Sequence, residues 1–257
     1  MDLNLSGKVA IVTGASRGIG RAIAGTLASE GMRLVLAARS RDQLESLAGS
    51  LKTDCLVQAV DLRYPQVPAG MVEATLARFG QLDLLVNVAG TTKRGDFLEL
   101  PEEDWAEGFS LKFFGAMRCC REAWPSLQKS GGSIINIVGT GGRTASAEFT
   151  IGGSVNAALL NLTKALADRG VREGVRVNAI NPGSITTDRL QTRIRNYASQ
   201  HHVDEPTAAG RMADELKIAR FGEPDEIGRV VAFLASPRAA YIQGAILDVD
   251  GGQTRTL

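Results

Sequence analysis

The chain has 257 residues, with 29 Lys and Arg against 28 Asp and Glu, a formal net charge of +1. That length suits one large α/β domain. Near-neutrality provides no overall field toward nucleic acid or an anionic membrane. No apolar run approaches the roughly 18 residues of a membrane span, and Met1-Asp2-Leu3-Asn4-Leu5 lacks the basic, apolar start of a signal peptide. A soluble cytoplasmic protein is therefore expected. The three cysteines, Cys55 and the adjacent Cys119 and Cys120, suit free thiols rather than a disulfide framework. His201 and His202 stand without a partner set, so no metal site is expected. Glycine is the compositional outlier, 29 residues, roughly one and a half times the usual share.

Short apolar runs alternate with helical stretches. Val9–Val12 reads as a strand, Arg21–Ser29 as a helix, Leu34–Leu36 as a strand, and Leu44–Leu47 as part of a helix. Leu56–Val60, Leu84–Val88, Ile134–Val138, Val175–Ile180 and Ala245–Val249 read as further strands. Helices are expected at Met71–Phe79, from Glu102 toward Pro125, at Val155–Asp168 and at Asp225–Leu234. Repeated β-α-β units with wholly apolar strands imply a single-domain α/β Rossmann fold over residues 1–257. Its sheet would be a doubly wound, seven-stranded parallel one, covered by helices on both faces. Residues 186–220 interrupt this rhythm with a polar, helical pattern and are expected to form a lid over a pocket.

Directly after the first strand comes Thr13-Gly14-Ala15-Ser16-Arg17-Gly18-Ile19-Gly20, then a helix. Such glycines permit a tight turn, close approach of backbone to a pyrophosphate, and close packing of helix on strand. The helix start turns free N–H groups and partial positive charge toward the phosphates. Gly14, Ser16, Arg17, Gly18, Ile19 and Gly20 are thus candidate cofactor contacts.

The spacing Thr-Gly-x-x-x-Gly-x-Gly resembles that of the short-chain dehydrogenase/reductase family. Other motifs similar to the family's follow in order: Asn87-Val88-Ala89-Gly90, Val177 to Gly183, Arg220 to Pro224, and Asp248 to Gly252. The resemblance covers Leu5 to about Gly252. It implies a nicotinamide dinucleotide cofactor, with Asp61 and Leu62 beside the adenine and Asn87, Ala89 and Gly90 along the adenosine ribose. It further implies Pro182, Gly183, Ile185 and Thr187 near the nicotinamide. Members are commonly oligomers, so a homotetramer or homodimer is implied. Substrate choice is implied to lie in the lid and in the loop Thr91–Gly95.

An acidic side chain ending the second strand usually marks NAD preference. Here the sequence reads Ala37-Ala38-Arg39-Ser40. Arg39, with Arg17, suits a 2′-phosphate, because a guanidinium donates paired, charge-assisted hydrogen bonds. NADP(H) is expected over NAD(H).

The catalytic register departs from the family's. That family uses a tyrosine, a lysine four residues later, a serine about thirteen earlier, and an asparagine on the fourth helix. Aligned on the fifth strand and on Trp105, those positions hold Gly152, Asn156, Gly139 and Lys112. Neither glycine can move a proton. Lysine and asparagine have exchanged places, so Lys112 is expected to return an ammonium to the pocket and Asn156 to bind a ribose hydroxyl. Glu148, Thr140, Ser154 and the lid residue Tyr197 are other candidate proton sources.

Three functions follow: an oxidoreductase acting on a carbonyl or alcohol with a non-standard proton source, a dinucleotide-binding protein without turnover (a sensor or hetero-oligomer partner), or a dehydratase, isomerase or lyase on the same scaffold. Arg189, Arg193 and Arg195 would either attract an acidic substrate or form a solvated helix face.

Overall fold

A computed structural model describes residues 2–255; Met1 of the N-terminal stretch lies outside them. Among these residues the strands are β1 (Val9–Thr13), β2 (Arg33–Ala38), β3 (Cys55–Ala59), β4 (Leu84–Asn87), β5 (Ser133–Ile137), β6 (Arg176–Pro182) and β7 (Ile246–Val249). The helices are α1 (Gly18–Ser29), α2 (Arg41–Ser50), α3 (Val67–Phe79), α4 (Glu102–Gly108), α5 (Ala116–Ser130), α6 (Thr150–Glu173), α7 (Asp188–His201), α8 (Glu205–Leu216) and α9 (Pro224–Ala235). A π-helical segment, Phe109–Gly115, joins α4 to α5.

The strands form one parallel sheet in the order β3-β2-β1-β4-β5-β6-β7. The expected seven-stranded, doubly wound Rossmann fold is present. Side chains alternate between its faces because successive Cβ atoms point to opposite sides of a strand. Ala10 and Val12 pack with Ile23 and Leu27 of α1, Leu44 of α2 and Val231 of α9. Val9 and Ile11 pack the other way, with Met71 of α3 and with Cys119, Ala123 and Leu127 of α5. Burial pushes the Cys120 thiol up to about 12, which keeps it protonated and unreactive.

Chain order reverses between β1 and β4, so a cleft opens at the carboxyl ends of those strands. Thr13 ties its floor together. Its hydroxyl donates to Val86 O at 3.3 Å and accepts from the backbone N–H of Val88 at 2.9 Å and of Ala89 at 3.2 Å.

Two helices run furthest beyond their expected bounds. α5 continues through Pro125 to Ser130. Pro125 is exposed while Ala123, Trp124 and Leu127 beside it are buried, so packing outweighs one missing hydrogen bond. α6 begins at Thr150 rather than Val155, because Ile151 and Val155 anchor its first turns in the interior and carry Gly152 and Gly153 along. Residues 186–220 contain α7 and α8, which pack on each other through Leu190, Ile194, Ala198, Ala208 and Met212. The base of this hairpin is pinned where Ile185 pairs with Gly222.

Arg176 closes the far end of α9. Its guanidinium donates to Leu234 O at 2.6 Å and Ala235 O at 2.9 Å, carbonyls at the end of the helix, and at 3.4 Å to Ala239 O, which also accepts from Ile242 N–H. Arg176→Ala is expected to lower unfolding stability by about 2–3 kcal/mol, since charged hydrogen bonds are lost and carbonyls are orphaned. Urea denaturation checks this; an unchanged midpoint and slope would contradict it.

Candidate functional site

The glycine turn is built for close approach. Gly14 and Gly18 have φ of +67° and +54°, the left-handed region that favours glycine. A Cβ at Gly14 would stand 3.0 Å from Ala89 N, and one at Gly20 would overlap the Gly14 carbonyl. A Cβ at Gly18 would stand 3.3 Å from the Thr187 side chain. The turn, the end of β4 and the start of α7 therefore meet. α1 starts with no side-chain cap and no acid in its first turn, leaving its N–H groups open to an anion.

Along the cleft, Arg39 lies exposed after β2, close enough to Asp61 to help hold that carboxyl below its usual range. The larger cause is Arg63, whose guanidinium clasps Asp61 at 2.6 Å. Asp61 is thus already paired, and the Leu62 side chain is buried in the core. Asn87 is buried and donates to Asn136 Oδ1 at 2.9 Å, while its own Oδ1 has no partner. Asn156 Oδ1 is likewise buried without one. Buried amide oxygens without donors are costly in a closed interior, and a donor from a bound ligand or an ordered water would relieve each. Pro182 and Ile185 are buried, and Gly183 abuts Asp250. Ser16, Ile19 and Gly90 are partly exposed around the cleft. These features fit an extended, phosphate-bearing dinucleotide.

Lys112 sits in the middle of the π-helical segment. Its aliphatic stem lies across Gly90, where a Cβ would come within 2.9 Å of it. Its Nζ donates to Val138 O at 2.6 Å. Burial first, and the Arg189 charge second, pull its pKa down from 10.5 to about 7. Asn156, on the buried face of α6, turns its Nδ2 toward Gly139 O at 3.5 Å. Lys112, from the π-helical segment, and Asn156, from α6, thus converge on adjacent peptides, Val138 and Gly139.

Gly139 has φ of +123°, which strains any residue with a Cβ. Gly152 is buried, and a Cβ there would overlap the ring of Phe149. The same ring would be 2.7 Å from a Cβ at Gly141. Phe149 therefore fills the volume that the Gly152 position leaves vacant. The Arg94 guanidinium stacks over that ring, 4.2 Å from its centroid. Its loop is held there by Gly95 N–H, which donates to Glu148 O at 3.2 Å. Nothing in the sequence pointed to Phe149, and Arg94 was marked only as part of the loop Thr91–Gly95.

Two other candidates are displaced. Tyr197 donates its hydroxyl to Glu215 at 2.6 Å and stacks on His201, within the α7–α8 hairpin, so it does not face the pocket. Ser154 is exposed on the outer side of α6, because the buried neighbours Val155 and Asn156 fix that helix's inner face. Thr140 opens a short 3-10 turn and Glu148 lies in another.

The family described as Enoyl-(Acyl carrier protein) reductase matches residues 14–254. The 3-oxoacyl acyl-carrier-protein reductase FabG of Vibrio cholerae is 35% identical over 254 residues, covering 97% of this chain and 98% of the relative. The crystal structure of L-sorbose reductase from Gluconobacter frateurii, complexed with NADPH and L-sorbose, superposes with a TM-score of 0.95 at 35% identity, covering all of both chains. A 7α-hydroxysteroid dehydrogenase complexed with NADH has a TM-score of 0.89 at 29% identity, over 100% of this chain and 98% of its own.

Proposed function

The chain belongs to the short-chain dehydrogenase/reductase family, and we propose that it is an NADP(H)-dependent oxidoreductase in which Lys112 is the proton source. The observation that carries this reading is the convergence of Lys112 and Asn156 on the Val138–Gly139 peptides, beside the glycine turn. When bound, the cofactor supplies or receives the hydride. Gly14, Ser16, Arg17, Gly18, Ile19 and Gly20 would hold its pyrophosphate. Asp61, Leu62, Asn87, Ala89 and Gly90 would line its adenosine half; Pro182, Gly183, Ile185 and Thr187 would line its nicotinamide half. Asn156 Oδ1, buried and unpartnered, would accept from a ribose hydroxyl.

In the reducing direction the carbonyl carbon of the substrate gains a hydride and its oxygen gains a proton. Lys112 holds that proton at Nζ, oriented by Val138 O. A pKa of about 7 lets the ammonium give up its proton near neutral pH, which an ordinary lysine does poorly. A panel including an acetoacetyl thioester and L-sorbose, followed by NADPH absorbance, tests the activity. Turnover of no carbonyl compound would remove the reading.

NADP(H) preference rests on Arg39. Relatives of this fold bind NADPH or NADH, so the residue after β2 must decide. Arg39→Asp is expected to weaken NADPH at least about tenfold and to spare or improve NADH, since a carboxylate repels a 2′-phosphate and accepts from ribose hydroxyls. Fluorescence titration with both cofactors checks it. Equal weakening of the two would dissociate Arg39 from the 2′-phosphate.

Dinucleotide binding without turnover is the second reading, favoured by the Phe149 ring occupying the Gly152 space. It expects tight NADPH binding and no product from any carbonyl. Assembly as a homotetramer or homodimer and residence in the cytoplasm are carried over from the family. Among the described residues no helix is long and apolar enough to cross a membrane.

A further inference from the structure

The mouth of the cleft carries charge that the fold does not use. Arg94 stands on the loop after β4, on one wall. Arg189 and Arg193 stand one turn apart on α7, on the other, so their side chains share a helix face. Leu190 and Ile194, the next residue after each, are buried in the hairpin. That arrangement turns the two arginines outward toward the cleft. Arg189 reaches back to Gly90 O at 3.5 Å, the residue over which Lys112 lies. Arg195, two residues further along α7, projects from a different face and hydrogen-bonds its own helix at Gln191 O.

None of the ion pairs among the described residues includes Arg94, Arg189 or Arg193. They act on one another across the cleft. Burial and then Arg193 hold the Arg94 guanidinium below its usual range; burial and then Arg17 do so for Arg189. Glu148 is the one carboxylate that opposes the effect at Arg94. Three guanidinium groups against one carboxylate, beside the Lys112 ammonium, repel one another at a cost unless an anion joins them. Arg17 and Arg39 lie by the glycine turn and after β2, positions that suit the cofactor's own phosphates. Arg189 feels Arg17 as well as Arg193 and so bridges the cofactor side to Arg94 and Arg193, which the cofactor's phosphates leave unclaimed. Stacking on Phe149 also keeps the Arg94 fork planar and fixed, with its edge N–H groups free to donate.

We propose that Arg94, Arg189 and Arg193 form an anion-binding subsite, and that the substrate is a carbonyl compound carrying a carboxylate or phosphate group. This rests on the oxidoreductase reading for the carbonyl, but the subsite itself needs no turnover. An anion seated there would neutralise the charge that Arg189 exerts on Lys112, so arrival of the substrate would favour the protonated donor.

Calorimetric titration tests it, on the full chain both free and saturated with NADP+. The probes are oxalate, inorganic phosphate, and neutral oxamide as control. The variants are Arg193→Ala, an exposed position whose loss leaves the core intact, and Arg94→Lys, which keeps the charge and loses the fork. At least one anion is expected to bind the NADP+-loaded chain and to lose tenfold or more in affinity in both variants, with oxamide not binding. Preference for oxalate or for phosphate identifies the anionic group. Anion affinity equal in wild type and both variants, or absent from free and loaded chain alike, overturns the subsite. Failure of NADP+ itself to bind overturns the oxidoreductase reading instead, and the titrations of the free chain still decide the subsite.

Discussion

Lys112→Met is expected to lower kcat/KM for NADPH-dependent carbonyl reduction by about 10²- to 10⁴-fold, the range that a positioned proton donor supplies. NADPH affinity should change far less, because Asn156 and the glycine turn are untouched. The pH profile has a defined shape. With a folded pKa of about 7, wild-type reduction should be flat below pH 7 and fall about tenfold per unit above it, as the ammonium is lost. Alcohol oxidation needs the neutral amine and should rise over the same range.

Stability should move the opposite way to activity. The Lys112 pKa is lowered from 10.5 to about 7 on folding, so the unfolded chain binds the extra proton between those values. Wild-type stability therefore rises with pH through that window. Below pH 7 both states are protonated and the full penalty of burying the charge is present. The shift corresponds to an upper bound of about 5 kcal/mol. Losing the Val138 hydrogen bond offsets about 1–2 kcal/mol of what methionine relieves. Lys112→Met should thus unfold at higher urea than wild type at pH 6, with the gap narrowing toward pH 10. A variant that is both active and unchanged in pH profile would end Lys112's candidacy as the proton source.

The cofactor half of the cleft was legible in the sequence because backbone geometry admits few residues there. Only a glycine avoids the Gly14 carbonyl at position 20, and only a glycine takes φ of +67° at position 14 without strain. Spacing along the chain therefore encodes that half directly. Lys112 was legible only through the family resemblance, which places the corresponding position seven residues after a tryptophan, here Trp105. The rest depends on side chains from distant segments, where no period or spacing operates. Phe149 closes a short 3-10 turn and is itself the residue before α6, a place that no hydrophobic period marks. Arg94 and Arg193 are 99 residues apart, and the α7–α8 hairpin, pinned at Ile185 and Gly222, brings their charges within range of one another. Tyr197 misled for the same reason. Its position in residues 186–220 was readable, but its hydroxyl belongs to Glu215, and only the packing of α7 on α8 reveals that.

Gly152→Tyr, which would put a tyrosine where the family resemblance expects one, should fail, and the reason lies in Phe149. A Cβ at Gly152 overlaps the Phe149 ring, so the ring must leave, and it cannot shift toward Gly141, against which it already packs. Its departure also breaks the stack beneath Arg94. Overpacking costs about 1–3 kcal/mol, and the lost cation–π contact about 0.5–2 kcal/mol. Gly152→Tyr should therefore lose roughly 2–4 kcal/mol in urea unfolding, with no gain in NADPH-dependent reduction. Phe149→Ala alone should also destabilise, by vacating the space between Gly141 and Gly152. The two changes compensate: Phe149→Ala with Gly152→Tyr should be more stable than the sum of the single losses by about 1–3 kcal/mol, the coupling expected of groups competing for one volume. Strict additivity would show that Phe149 and position 152 do not share that volume. The double variant would still carry Gly139, where a serine would have to accept φ of +123°, and Asn156, where the resemblance expects a lysine. Reduction by the double variant should still draw its proton from Lys112, so adding Lys112→Met to it should abolish whatever turnover it shows. Persistence of reduction in that triple variant would mean that the restored tyrosine acts alone.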